Sequence, residues 1–166
     1  MKQFSEYSLG RRAVLVLSSG LLTGYVPKWS GTFGTLPAIV LLYPFRHLNE
    51  PTWPSGVIFL AIVLAIVGAA IAVSEVAERT YGVKDSGKIV ADEIAGFFVS
   101  MLFVPFRWPH IAAAFIIFRV MDVLKPPPIR RLQFLHGGWG VVIDDFLAGL
   151  ITCLVVHAMM GLGILR

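Results

Sequence analysis

Apolar residues in this chain are grouped into long runs separated by short polar stretches, a pattern that predicts membrane helices. The run from Gly56 to Val73 contains no polar side chain over eighteen residues, and the run from Phe146 to Leu165 is of similar length. A helix of about 20 predominantly apolar residues spans the hydrocarbon core of a bilayer. We therefore predict transmembrane helices at both places, the second of them as the last span over residues 146–165.

Two shorter apolar runs, Ile94–Phe106 and Ile111–Phe118, border charged residues. Each reaches the length of a span only if its helix includes those charges, which are Asp92 and Glu93 in one case and Arg119 and Asp122 in the other. The charges would then lie inside a helical hairpin, near its open end. A fifth apolar run, Leu36–Leu48, completes about five membrane segments, some of them short or re-entrant.

The N-terminal region is less apolar. Residues 1–12 predict a basic cytoplasmic tail, and the half-apolar stretch 13–27 is too short and polar to span, so we expect an interfacial or re-entrant segment. Thr35, before Leu36 and Pro37, is a plausible N-cap with proline in the first turn of the next helix.

Composition supports an all-α integral membrane protein. Hydrophobic residues make up 57% of the chain and charged residues 14%, and the mean hydropathy is +0.79, whereas about a quarter of the residues of a soluble domain are charged. The length of 166 residues predicts a single domain, 1–166. The single cysteine, Cys153, lies in an apolar run without a basic neighbour, which argues against a thiolate nucleophile.

The net charge of +4 arises from bases that lie in loops beside the apolar runs. This placement favours an anionic membrane surface and an anionic substrate over nucleic acid. The tail and segments 74–91 and 123–143 carry most of the lysine and arginine. The positive-inside rule then puts the N-terminus and the three acidic clusters, at residues 92–93, 122 and 144–145, on the cytoplasmic side.

Acidic residues beside apolar segments are costly and usually functional. Without a cluster of His or Cys, carboxylates suit a hard cation such as Mg²⁺. Water and the substrate phosphate would complete the coordination of the ion. Residues 119, 122 and 125 share one helix face, so cations and an anion project together. We interpret Arg119, Lys125 and Arg130 as groups that bind phosphate. The candidate metal ligands are Asp92, Glu93, Asp122, Asp144 and Asp145.

Structural alternatives remain open at each position. Asp144 or Asp145 could cap the last helix, and Asp92 and Glu93 could be first-turn acids favoured by the helix dipole. Arg119 and Asp122 could form a structural ion pair, and the Lys125 side chain could snorkel to the lipid headgroups. Asp85 and His136 are secondary candidates that first suggest loop chemistry, and the glycines at 31 and 34 first suggest turns.

Four ordered blocks nevertheless occur between residues 31 and 149: Gly31-Thr32-x-Gly34-Thr35-Leu36, Val90-x-Asp92-Glu93, Phe118-Arg119-x-x-Asp122-x-x-Lys125-Pro126-x-Pro128-Ile129, and Gly137-Gly138-x-Gly140-x-x-x-Asp144-Asp145-x-x-Ala148-Gly149. Together they resemble the bacterial phosphatidylglycerophosphatase A family. Thr35 stands where the family's block is expected to carry serine, and both residues supply a hydroxyl.

The resemblance implies a Mg²⁺-dependent phosphatase of the bacterial inner membrane that converts phosphatidylglycerol phosphate into phosphatidylglycerol and inorganic phosphate. The implied catalytic residues are Asp92, Glu93, Asp122, Lys125, Asp144 and Asp145. Thr32 and Thr35 join the candidate phosphate-binding residues. A carboxylate could act as ligand, base or nucleophile. A small transporter that uses the acids as an ion path is the alternative from another class, and a membrane protein whose charges only set its topology is a third.

Overall fold

In a computed structural model, which describes residues 4–26, 30–48, 54–127, 129 and 135–166, six α-helices follow one another and the described residues form no strand. The helices are α1 (Leu9–Ser18), α2 (Ser30–Leu42), α3 (Ser55–Tyr81), α4 (Ala91–Ser100), α5 (Trp108–Leu124) and α6 (Gly138–Gly161). Single 3₁₀ turns lie at Phe4–Glu6, Thr23–Tyr25 and Tyr43–Phe45. The all-α prediction is confirmed.

Two helices, α3 and α6, are long and apolar enough to cross a membrane, with 27 and 24 residues. These are the two predicted transmembrane helices. Helix α3 extends through Tyr81, so the first part of the polar 74–91 segment is helical.

Helix α4 does not extend over the predicted apolar segment Ile94–Phe106. It ends at Ser100, whose hydroxyl donates a hydrogen bond to the carbonyl of Phe97, and Phe103 adopts a positive φ of 57°. Its ten residues are too few to span a bilayer, and eight of them are buried. A short helix that is apolar on all sides is typical of a core element. Accordingly α4 contacts α2, α3, α5 and α6.

Helix α6 begins earlier than predicted, at Gly138 instead of residue 146. The cause lies far away in sequence: the carboxylate of Glu75 on α3 accepts a hydrogen bond from the backbone N–H of Gly138 at 2.5 Å. This satisfies one of the unpaired donors at the helix start. Asp144 and Asp145 therefore lie inside the helix, about 9 Å from its first residue at 1.5 Å per residue. Their interpretation as N-caps is wrong.

The N-terminal prediction for α2 is also wrong. The helix starts at Ser30, so Thr35 is an interior residue whose hydroxyl donates to the carbonyl of Gly31 at 2.8 Å, and Pro37 lies inside the helix. Gly31 and Gly34 are helical residues and not turn residues. Upstream, α1 packs against α3, and the backbone N–H of Val90 donates to the carbonyl of Ser18 at 2.8 Å. The N-terminal segment thus contacts the loop that leads into α4.

Glycines set the distance between α4 and α6. A Cβ atom on Gly96 would lie 2.6 Å from the carbonyl oxygen of Asp145 and 2.8 Å from the ring of Phe118, and a Cβ on Gly149 would meet the backbone of Gly96. Both side-chain-free positions let the two backbones approach, as small residues do between membrane helices. This approach brings the start of α4 next to Asp145.

We expect Gly149→Ala to lower the free energy of unfolding by about 1–3 kcal/mol, because the added methyl group would overpack the α4–α6 contact. Thermal unfolding of the detergent-purified protein measures the effect. Gly68→Ala on α3 is the matched control, since a Cβ there meets nothing within 4 Å, and it should be neutral or stabilising by up to about 1 kcal/mol. Equal destabilisation by both changes would contradict the close contact.

Candidate functional site

Three carboxylates meet where α4 begins. Asp92 and Glu93 occupy the first turn of α4, Asp145 projects from α6, and one oxygen from each lies within 4.8 Å of the other two. Asp92 is 7% exposed and Asp145 is 3% exposed. We call these three residues the acidic trio.

Each carboxylate of the acidic trio has a buried oxygen without a hydrogen-bond partner in the described part of the protein: Asp92 Oδ1, Glu93 Oε2 and Asp145 Oδ2. Buried polar atoms normally have partners, and a buried charge without one is costly. Three convergent carboxylate oxygens are the ligand type that hard cations prefer. The acidic trio could therefore hold a metal ion.

Two further carboxylates are paired with cations next to the acidic trio. Arg119 Nη1 lies 2.5 Å from Asp122 Oδ2 within α5. Lys125 Nζ lies 2.5 Å from Asp144 Oδ2 on α6 and 3.9 Å from Asp122 Oδ1. We call these four residues the paired charges. They connect the end of α5 to α6 and include the ion pair that the sequence suggested at 119 and 122.

Lys125 ends α5 in a left-handed conformation, with φ of 41°. Partial burial works against its charge, but the hydrogen bond and negative charge of Asp144 outweigh burial and raise the pKa of Lys125 above its usual range. The ammonium group therefore remains charged. A non-glycine residue in this conformation is uncommon and is held by surrounding contacts, here by the ion pair to Asp144.

The charges of the site do not balance. The acidic trio and the paired charges contribute five carboxylates and two cations, so three negative charges remain if every acid is ionised. Water cannot screen them well because four of the carboxylates are buried. Either a cation or proton uptake must compensate this excess.

Gly31, near the start of α2, lies next to the side chains of both Arg119 and Glu93. A Cβ atom at this position would lie 2.7 Å from Arg119 Nη2 and 2.7 Å from Glu93 Oε1. The backbone of α2 can approach both charged groups only because residue 31 has no side chain. In the sequence this glycine first suggests a turn, and its position in the first motif block is the only signal of a role at the site.

Glu75 is a second residue whose position the sequence does not predict. It caps α6 through Gly138 and also pairs with Arg79 at 2.5 Å. Capping fixes the start of α6 and therefore the position of Asp144 and Asp145 along it. No local pattern in the sequence connects residue 75 to residue 138.

Other predicted site residues are less close to the acidic trio. Thr32 is half-buried and lines a groove with Arg119, whereas the hydroxyl of Thr35 is used within α2. His136 is exposed before α6. Arg130 lies outside the described residues.

Asp85 lies in the loop before α4 and has a positive φ of 48°. Its backbone N–H donates a hydrogen bond to the carboxylate of Glu78 at 3.1 Å. Although the residue as a whole is exposed, partial removal of water from its carboxyl group raises its pKa. Lys125 opposes this shift and the negative charge of Asp144 adds to it. Asp85 is therefore electrostatically linked to the paired charges.

Two helices long and apolar enough to cross a membrane, in a fold whose described residues form only helices, indicate a helical membrane protein. Comparison with known sequences gives the family. The sequence model described as Phosphatidylglycerophosphatase A matches residues 16–160. The chain belongs to the phosphatidylglycerophosphatase A family, whose members are phosphatases, and the resemblance seen in the motif blocks is confirmed.

Individual relatives agree with this assignment. The chain is 35% identical over 144 residues to phosphatidylglycerophosphatase A of Escherichia coli, covering 86% of this chain and 80% of that protein. It is 35% identical over 143 residues to the Haemophilus influenzae protein of the same name, covering 85% and 82%. A Bacteroides thetaiotaomicron protein, provisionally named a phosphatidylinositol-3-phosphatase, is 31% identical over 148 residues, covering 86% and 90%. No solved structure matches the chain.

We expect Lys125→Met to lower the free energy of unfolding by about 1–3 kcal/mol at neutral pH, somewhat less than a fully buried pair because the lysine is partly exposed. The change leaves Asp144, whose side chain is 3% exposed, without its cation. Unfolding in detergent by denaturant measures the effect. Arg79→Met is the control, because the Arg79 side chain is 77% exposed and exposed pairs contribute about 0–1 kcal/mol. An equal loss from both variants would contradict the buried pair.

Proposed function

We propose that the protein hydrolyses the terminal phosphate of phosphatidylglycerol phosphate and releases phosphatidylglycerol and inorganic phosphate, with Mg²⁺ as cofactor. The observation that carries the proposal is the acidic trio, with three unpartnered buried oxygens, beside the two cations of the paired charges. Such a site presents ligands for a metal and positive groups for a phosphate side by side. Two relatives at 35% identity bear the name of this activity.

The residues that would hold Mg²⁺ are Asp92, Glu93 and Asp145. Each has one buried oxygen without a hydrogen-bond partner among the described residues, whereas Asp122 and Asp144 are already paired with cations. The sequence could not separate these two sets among its five candidate ligands. Magnesium prefers one or a few carboxylates and leaves positions for substrate oxygens. The chemistry that it supplies when bound is stabilisation of negative charge on the phosphoryl oxygens.

Arg119 and Lys125 would orient the phosphate. Their positions are fixed by Asp122 and Asp144, so they need little reorganisation when substrate binds. Thr32 lines the same groove as Arg119 and is a further candidate donor, as is Arg130. A carboxylate of the site would accept the proton of the attacking water or attack the phosphorus itself.

A cytoplasm-facing site in the inner membrane is supported by the arrangement of helix ends. Helices α3 and α5 end, and helices α4 and α6 begin, at the end of the fold that carries the site. The basic residues Arg79, Lys84, Lys88 and Lys125 belong to the same end. Basic residues accumulate on the cytoplasmic side of membrane proteins. We therefore propose a multi-pass orientation with this end in the cytoplasm.

The transporter alternative is not favoured. An ion path requires ionisable groups through the depth of the membrane. The described aspartates and glutamates of α3, α4, α5 and α6 all lie near the ends that form the site. The family assignment also favours an enzyme.

We expect the detergent-purified protein to release phosphate from phosphatidylglycerol phosphate with Mg²⁺ and to stop when EDTA is added. Asp145→Asn should lower kcat by at least about a hundredfold, because even loss of a partner behind a metal ligand costs about 10–100-fold. Colorimetric phosphate release measures both effects. The amount of phosphatidylglycerol formed should equal the amount of phosphate released.

Glu78→Gln is the matched control, because it removes the charge of an acid on α3 that contacts the backbone of Asp85 and not the acidic trio. This variant should retain nearly full activity. Release that persists in EDTA, or Asp145→Asn that is as active as Glu78→Gln, would contradict the assignment of the acidic trio.

A further inference from the structure

We propose that the lipid substrate enters the site sideways from the bilayer, through a groove between α2 and α5. This inference rests on the proposed function and extends it to the path of the substrate. The groove has a volume of about 610 Å³ and is lined by Thr32 of α2 and by Arg119, Val120, Val123 and Leu124 of α5. We call it the lateral groove. Its occupant is the glycerol backbone and upper acyl chain of an anionic phospholipid.

The outer part of the lateral groove is apolar and faces away from the protein. Val123 is 69% exposed, Leu124 is 68% exposed and Val120 is 43% exposed. On the same helix, Phe118 and Asp122 point into the core. Apolar side chains with this exposure favour contact with lipid over contact with water. A phospholipid beside the protein therefore meets an apolar wall at the level of the site.

The inner part of the lateral groove is cationic. The Arg119 side chain lines the groove while only 18% exposed, and its guanidinium is held by Asp122. Apolar outer residues with one cation at the back complement a phospholipid, which carries apolar chains on one side of an anionic phosphate. Arginine also matches the geometry of phosphate oxygens. The chemistry of the groove thus selects an amphipathic anion over a free inorganic ion.

Gly31 connects the lateral groove to the acidic trio. Arg119 and Glu93 both lie next to the position of a Cβ at residue 31, and Glu93 belongs to the acidic trio. A phosphate held by Arg119 would thus lie close to Glu93, one of the proposed metal ligands. The lipid chains would remain in the groove, so the substrate would not need to leave the bilayer to react.

A second groove provides the competing path. It has a volume of about 510 Å³, lies between the turn after α1 and helix α2, and includes Leu21, Leu36 and Val40. Its described lining contains no charged residue and reaches α4 only at Ile94. Its described lining offers no cation to a phosphate, so we assign the substrate path to the lateral groove.

The test compares three tryptophan variants on phosphatidylglycerol phosphate with long acyl chains, presented in mixed micelles. Val123→Trp should lower kcat/KM by at least about tenfold, because a blocked path prevents productive positioning. Val40→Trp in the competing groove and Leu154→Trp on α6 should remain close to the unmodified protein. Leu154 is 71% exposed and lines neither groove. Binding of Mn²⁺, measured by electron paramagnetic resonance, should be retained in all three variants.

A second variant distinguishes a blocked groove from a misfolded protein. Val123→Cys in a Cys153→Ser background carries a single thiol, since Cys153 is the only cysteine of the chain. A bulky maleimide added after purification modifies protein that is already folded, and it should reduce activity as Val123→Trp does. The unmodified cysteine variant should be active.

Each outcome decides between paths. Loss of activity in Val40→Trp with an active Val123→Trp would overturn the lateral groove in favour of the competing one. Full activity of both Val123→Trp and the maleimide-treated Val123→Cys would overturn it without replacement. An inactive unmodified protein would contradict the proposed function and the path together, whereas an active one with unaffected Val123 variants contradicts the path alone.

Discussion

Repulsion among buried carboxylates is the constraint on which this structure depends. Two unit charges about 4 Å apart at an effective dielectric constant of about 20 repel by about 4 kcal/mol, and a domain is stable by only about 5–15 kcal/mol. Asp92, Glu93 and Asp145 lie within 4.8 Å of one another, so their full ionisation without a counterion would use much of that stability. The fold therefore requires a cation or protons at this point, and the acidic trio could meet the requirement by holding a metal ion.

The paired charges show why a metal ion would be held by the acidic trio and not by Asp122 or Asp144. Lys125 donates a hydrogen bond to Asp144, and Arg119 donates one to Asp122. Two carboxylates are thereby neutralised by the protein itself, and three are left for a ligand. The same two cations retain unused donors, because lysine has three and arginine five. A site with acids for a metal and spare donors for a phosphate follows from this division of partners.

The gathering of these acids could be predicted because each stands beside an apolar segment, where only another polar group or a ligand makes burial tolerable. The helix boundaries that orient them could not. Helix α6 starts at Gly138 because Glu75, 63 positions earlier, caps it, and a local pattern contains no information about such a partner. Gly31 was similarly ambiguous: turns and close helix contacts both favour glycine, and only the three-dimensional position of Arg119 and Glu93 distinguishes them.

The short helix α4 combines these features. Its ten residues cannot cross a bilayer, and the irregular backbone that follows at residues 101–107 would be unfavourable against lipid. The surrounding helices cover it, and Met101 and Val104 are buried. Because α4 ends inside the protein, its first turn can place Asp92 and Glu93 against α6, where the positive end of the helix dipole also favours negative charge. A full-length transmembrane helix would have its first turn at the membrane surface, where water would screen the same carboxylates and weaken their hold on a cation. A site buried in this way faces lipid on its flank, which is the side from which a phospholipid can reach it.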